Sequence, residues 1–116
     1  TARDMQRGLI ERGEPWDLSK GFDGSAVLGE FRPVEQYDIA NVDFSLTIDD
    51  NVVQKANTSQ MYFSVDEIIA YVSRFCTLKT GDLIFTGTPA GAGEAKIGTH
   101  LKGYIGEDKV LDFHVR

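Results

Sequence analysis

The chain has 116 residues, 41% of them apolar and 26% charged, and carries a formal net charge of −6. That balance fits one globular domain and excludes a nucleic-acid partner, because phosphate binding needs a basic face. No apolar run approaches the ~18 residues that cross a bilayer, and the single cysteine, Cys76, excludes an internal disulfide.

An acidic chain with one thiol is expected in a reducing cytoplasm. The net charge leaves a small anionic substrate open, since a local field can oppose the total. Twelve glycines predict many turns and close backbone approaches. Residues 1–13 read as a short helix, with Met5, Leu9 and Ile10 at helical spacing and Gly13 as its stop. Gly13-Glu14-Pro15 turns the chain, Trp16 and Leu18 offer apolar anchors, and residues 20–33 are glycine-punctuated loop with short strands.

From Val42 to Ile48 the residues alternate. Val42, Phe44, Leu46 and Ile48 share one face; Asp43, Ser45 and Thr47 share the other. Asp49-Asp50-Asn51 supplies turn chemistry and Val52 to Lys55 returns as a hairpin partner. Ser64-Val65-Asp66-Glu67 is a capping box. It opens the one main predicted helix, over about 64–76, with Cys76 buried among its apolar residues. Leu83 to Thr86 reads as a short apolar strand, and Gly87 to Gly93 as a flexible loop. Leu101 to Ile105 and Lys109 to Val115 close the domain as two strands. Five or more strands with one clear helix predict a mostly-β α+β domain.

Some residues could carry chemistry. The glycines around Thr88 would let backbone N–H groups approach a ligand oxygen, although a plain surface turn explains them too. Lys20 could bind a carboxylate or stabilise an enolate, or be a solvated surface lysine. Arg3 and Gln6 share a helix face. His100 and His114 have no partner at metal-ligand spacing and read as structural. Asp49-Asp50-Asn51 lacks calcium-loop spacing.

Six segments in order are more specific than any one of them. They are Thr1-Ala2-Arg3-Asp4-x-Gln6, Gly13-x-Pro15-Trp16, Lys20-Gly21-Phe22-Asp23, Asn57-Thr58-Ser59-x-Met61, Ser64-x-x-Glu67-Ile68-Ile69-Ala70-Tyr71-x-Ser73, and Thr80-Gly81-Asp82 running on to Thr86-Gly87-Thr88-Pro89-x-Gly91-x-Gly93. The series resembles the fumarylacetoacetate hydrolase family over nearly the whole chain. It is most similar to the branch of acylpyruvate hydrolases, oxaloacetate decarboxylases and hydroxymuconate-type isomerases.

The resemblance implies a mixed β-roll, a homodimer or higher oligomer, and a divalent metal, Mg2+ or alternatively Mn2+ or Ca2+. It implies an enzyme acting on C–C or C=C bonds of small oxo acids through an enolate. The metal's three carboxylates are expected upstream of Thr1, so residues 1–116 are expected to be the C-terminal portion of one catalytic domain whose N-terminal part is missing. Asp4 matches a motif aspartate that is not a metal ligand. Gln6 is carried over as a substrate contact, and Lys20 and Thr88 as substrate-binding and catalytic residues. Gly24 stands where some members have a polar contact, which leaves the substrate open. The alternative expectation is a catalytically incomplete fragment that serves only as a folded assembly module.

Overall fold

The computed structural model describes all 116 residues, Thr1–Arg116. Its elements run α1 (Arg3–Glu11), β1 (Asp43–Ile48), β2 (Asn51–Asn57), α2 (Val65–Val72), β3 (His100–Ile105) and β4 (Asp108–His114), with short 3-10 turns at Asp17–Ser19, Val34–Gln36 and Thr58–Gln60. The four strands form one antiparallel sheet in the order β2-β1-β3-β4. The class is therefore α+β, as the strand and helix patterns imply.

The hairpins follow from turn chemistry. Asp49 and Asp50 take φ of 49° and 64°, the left-handed pair that a tight β1–β2 connection needs. The neighbouring strand β3 holds that turn: Asp49 Oδ1 accepts from the His100 backbone N–H at 2.9 Å, and the Lys102 ammonium donates to Asp50 Oδ1 at 2.6 Å. Gly106, with φ of 58°, turns β3 into β4.

Each edge strand carries a bulge. Leu46 pairs with Gln54 and Thr47 with Val52, leaving Val53 of β2 unpaired; Gly103 pairs with Leu111 and Tyr104 with Lys109, leaving Val110 of β4 unpaired. A bulge kinks the strand and redirects the unpaired backbone groups. Both carbonyls meet a glycine of an incoming loop. A Cβ on Gly91 would drive into the Val53 carbonyl oxygen, and one on Gly29 into that of Val110. The two loops thus cover edges that would otherwise present open hydrogen-bonding groups.

Several expectations need correction. The helix opened by the capping box is confirmed at its start, where Ser64 N–H donates to Glu67 Oε2 at 2.7 Å and Glu67 N–H to Ser64 Oγ at 3.2 Å. It ends at Val72 rather than near residue 76. Ser73 Oγ donates back to the Ala70 carbonyl, and Arg74 and Phe75 bond three residues back, which tightens the backbone into a turn. Cys76 consequently lies past the helix and is exposed. Helix α1 spans nine residues against eight for α2, so there is no single main helix. Leu83 to Thr86 forms no strand, because no neighbouring strand offers it a partner, and the count is four rather than five. No helix is long and apolar enough to cross a membrane.

Little of the chain is buried. The apolar core consists of Leu9 and Leu101, and Thr47 is closed off within the central strand pair with no hydrogen-bond partner for its Oγ1. Thr47 is thus more enclosed than the apolar face of β1, whose Phe44 borders an open cavity. The accessible surface is 9171 Å², whereas a free-standing globule of this mass exposes about 6,300 Å². The radius of gyration, 15.8 Å, likewise exceeds the roughly 13 Å of a compact domain this long. Phe31, Tyr62, Phe63, Phe75 and Phe85 all stand in solvent. Apolar surface on that scale marks an interaction face.

Candidate functional site

Lys20 closes the 3-10 turn at Asp17–Ser19, and its backbone N–H donates to the Asp17 carbonyl at 2.9 Å. Beside it Ser19 is fully buried, with Oγ donating to the Trp16 carbonyl at 2.5 Å and its own carbonyl accepting from Ala2 N–H at 2.9 Å. These bonds tie the start of α1 to the turn. The Lys20 ammonium then donates to Thr1 Oγ1 at 2.9 Å and lies 5.9 Å from the Trp16 ring centre. Pro15, Trp16, Asp17, Lys20 and Gly21 line an open cleft of about 570 Å³.

Gln6 lies half-buried on α1, one turn beyond Ala2, whose carbonyl accepts from its backbone N–H at 2.9 Å. It lines neither this cleft nor the larger cavity. Gly24, with φ of 76°, occupies the turn that follows.

Thr88 lies on the loop laid along the β2 edge. It borders the larger cavity, about 1020 Å³, whose wall is mainly apolar and includes Phe44, Met61, Phe63 and Tyr104. The structure therefore holds Lys20 with the turn beside α1 and Thr88 with the sheet edge, lining separate cavities. Gln54 is the residue the sequence reading passed over. Its side-chain amide donates to Thr88 Oγ1 at 2.9 Å. Strand alternation marked Gln54 only as a returning hairpin residue, and its partner lies 34 positions on, so no local pattern announced the contact.

The two histidines form a further cluster. Their rings stack at 4.1 Å on the β3–β4 pair, and His100 Nε2 lies 2.6 Å from Asp112 Oδ1. The His100 ring and the Lys109 ammonium hold the Asp112 carboxyl down to about 2 from its ordinary 3.8. Nowhere do three or more His, Cys, Asp or Glu side chains gather as metal ligands. The residues of this chain do not by themselves fit a divalent cation.

The sequence model described as "Fumarylacetoacetate (FAA) hydrolase C-terminal" matches residues 1–112. The chain belongs to the fumarylacetoacetate hydrolase family. Among curated relatives, it is 39% identical to the mitochondrial oxaloacetate decarboxylase of Dictyostelium discoideum, over 99% of this chain and 54% of that protein. It is 38% identical to the oxaloacetate tautomerase YcgM of Escherichia coli, over 87% and 47%. A fumarylacetoacetate hydrolase family protein of Yersinia pestis superposes with a TM-score of 0.89 at 37% identity, over 98% of this chain and 54% of that one. The fumarylpyruvate hydrolase of Pseudomonas aeruginosa, solved with Mn2+ and pyruvate, gives 0.85 at 37% identity, over 97% and 49%. The chain spans about half the length of the curated relatives it matches. The decarboxylase, the tautomerase and the hydrolase among them are named for reactions of oxo acids.

Proposed function

We propose that this chain is the C-terminal portion of a catalytic domain that acts on C–C or C=C bonds of small oxo acids through an enolate. The carrying observation is the family match across residues 1–112, with relatives named for decarboxylation, tautomerisation and hydrolysis. One intermediate serves all of them. Hydrolysis of an acylpyruvate, loss of CO2 and migration of a double bond each leave negative charge on the oxygen next to a carboxylate. A catalyst for any of them needs donors preset where that charge develops.

In this reading the Lys20 ammonium and the Thr88 hydroxyl are those donors, and Gln6 contacts the substrate. The Lys20 ammonium is free to serve because its only hydrogen bond is an exposed one to Thr1. Lys20 and Thr88 line separate cavities in these 116 residues, so this reading requires further polypeptide to complete a shared pocket, and the excess apolar surface supports such a cover. A divalent cation such as Mg2+, Mn2+ or Ca2+ belongs to the reading, held by carboxylates outside these 116 residues. It would polarise the substrate's adjacent oxo and carboxylate oxygens. A homodimer or larger assembly in the cytoplasm completes the proposal. A second reading, a folded assembly module with no catalysis of its own, is favoured by the lack of any metal-ligand cluster.

Turnover of oxaloacetate by the full-length protein separates the two. Lys20→Ala should lower kcat by at least about tenfold, the scale of losing one preset donor, with the circular dichroism spectrum unchanged. Undiminished kcat in that variant removes Lys20 from the chemistry.

A further inference from the structure

Gln54 follows the bulged Val53 on β2, and its amide faces three oxygens: Thr88 Oγ1 at 2.9 Å, the Pro89 carbonyl at 3.1 Å and the Ala90 carbonyl at 3.4 Å. Carbonyl oxygens only accept, so the group turned toward them is the NH2. Its two hydrogens serve the two shorter contacts, and the third distance lies beyond good hydrogen-bond geometry. No backbone–backbone hydrogen bond reaches residues 86–91; every hydrogen bond to that stretch comes from Gln54. The other restraint is steric. Gly91, with φ of 96°, packs against the Val53 carbonyl where no side chain fits.

This arrangement has a chemical consequence. Thr88 Oγ1 accepts a hydrogen from Gln54, and the amide NH2 has no free lone pair to accept one in return. The hydroxyl hydrogen of Thr88 must therefore point away from Gln54. Thr88 is exposed and borders the large cavity. We infer that Gln54 is a positioning residue: it holds the 86–91 loop on the sheet edge and fixes the Thr88 hydroxyl as a donor to a carboxylate or oxo oxygen of the substrate. The inference rests on the role proposed above for Thr88.

The test uses the full-length protein, with oxaloacetate as probe. Gln54→Met keeps length and removes the donor. It should lower kcat/KM by about tenfold, the scale of one or two lost hydrogen bonds, with kcat falling because a donor to the developing charge is no longer preset. Gln54→Glu adds a pH signature. Near pH 8 its carboxylate would take the Thr88 hydrogen for itself, reversing the bond, and kcat/KM should fall at least as far. Facing carbonyl oxygens favour the protonated carboxyl and raise its pKa. Its kcat/KM, relative to the wild type, should therefore climb as pH falls toward about 5, where an O–H donor returns. Gln54→Met should show no such climb. An unchanged kcat/KM in Gln54→Met, or a flat ratio for Gln54→Glu, overturns the inference. Thr88→Ala tells the two levels apart. If it turns over like the wild type, the Thr88 role fails and this inference with it. If it is impaired while Gln54→Met is normal, only the positioning role fails.

Discussion

At the β4 edge the bulged Val110 turns its carbonyl toward Gly29, and the Glu30 backbone N–H donates to that oxygen at 2.6 Å. At the β2 edge the bulged Val53 turns its carbonyl toward Gly91, but the hydrogen bonds run from the Gln54 side chain to the loop. The steric device is the same and the tie differs. A backbone N–H is available from any residue but proline, so the β4 edge constrains residue 29 and leaves residue 30 nearly free. The β2 edge needs one particular side chain. A single substitution can therefore retune the loop that carries Thr88, whereas the segment joining Lys20 to the sheet is insulated from that kind of change.

The largest effect should come from Gly91→Ala. It combines a left-handed φ with overlap on the Val53 carbonyl, at a cost of about 2–4 kcal/mol. Because one amide alone ties the loop, the damage should appear as faster proteolytic cleavage within residues 86–93, with the β3–β4 hairpin still uncut. An unchanged cleavage rate in the loop would show that it is not seated on β2.

Gly29→Ala should come next, at about 1–3 kcal/mol from overlap alone, since φ at residue 29 is not left-handed. A backbone tie inside the sheet should spread that loss, so the urea midpoint should fall without selective exposure of residues 86–93. A loss confined to the 86–93 loop would break the comparison between the two edges.

The smallest effect concerns acid. The Asp112 carboxyl on β4, held down to about 2 from 3.8 by His100 and Lys109, contributes stability that is present above about 3.8. That contribution is lost as pH falls through about 2. Asp112→Asn should be slightly less stable than the wild type near pH 6, and the gap should close below about pH 4. A gap in urea midpoint that stays constant from pH 6 to 3 would show that this carboxyl does not stabilise the β4 edge.

Local chemistry was legible wherever it was contained in neighbouring residues. The Ser64–Glu67 capping box, the Asp49–Asp50 turn and the closing hairpin appear where the pattern places them. The failures share a cause. Leu83 to Thr86 has the composition of a strand, but a strand requires a partner that this sheet does not offer. Cys76 continues an apolar helical pattern, but the backbone tightens at Ser73 before reaching it. Gln54 looked like any polar strand residue, because nothing in the sequence around it states that residues 88 to 90 return to its edge.

The order of short motifs along the chain carried the family resemblance, because each motif is a local arrangement of turn glycines and polar groups that neighbouring residues can hold, and through that resemblance alone Gln6, Lys20 and Thr88 became expected site residues. Tertiary structure alone decided which of these residues meet. It set Lys20 beside Thr1 and Trp16, and Thr88 beneath Gln54, in separate cavities. Those distances depend on how the edge strands bulge and which loop covers each, and such long-range contacts leave no period in the sequence.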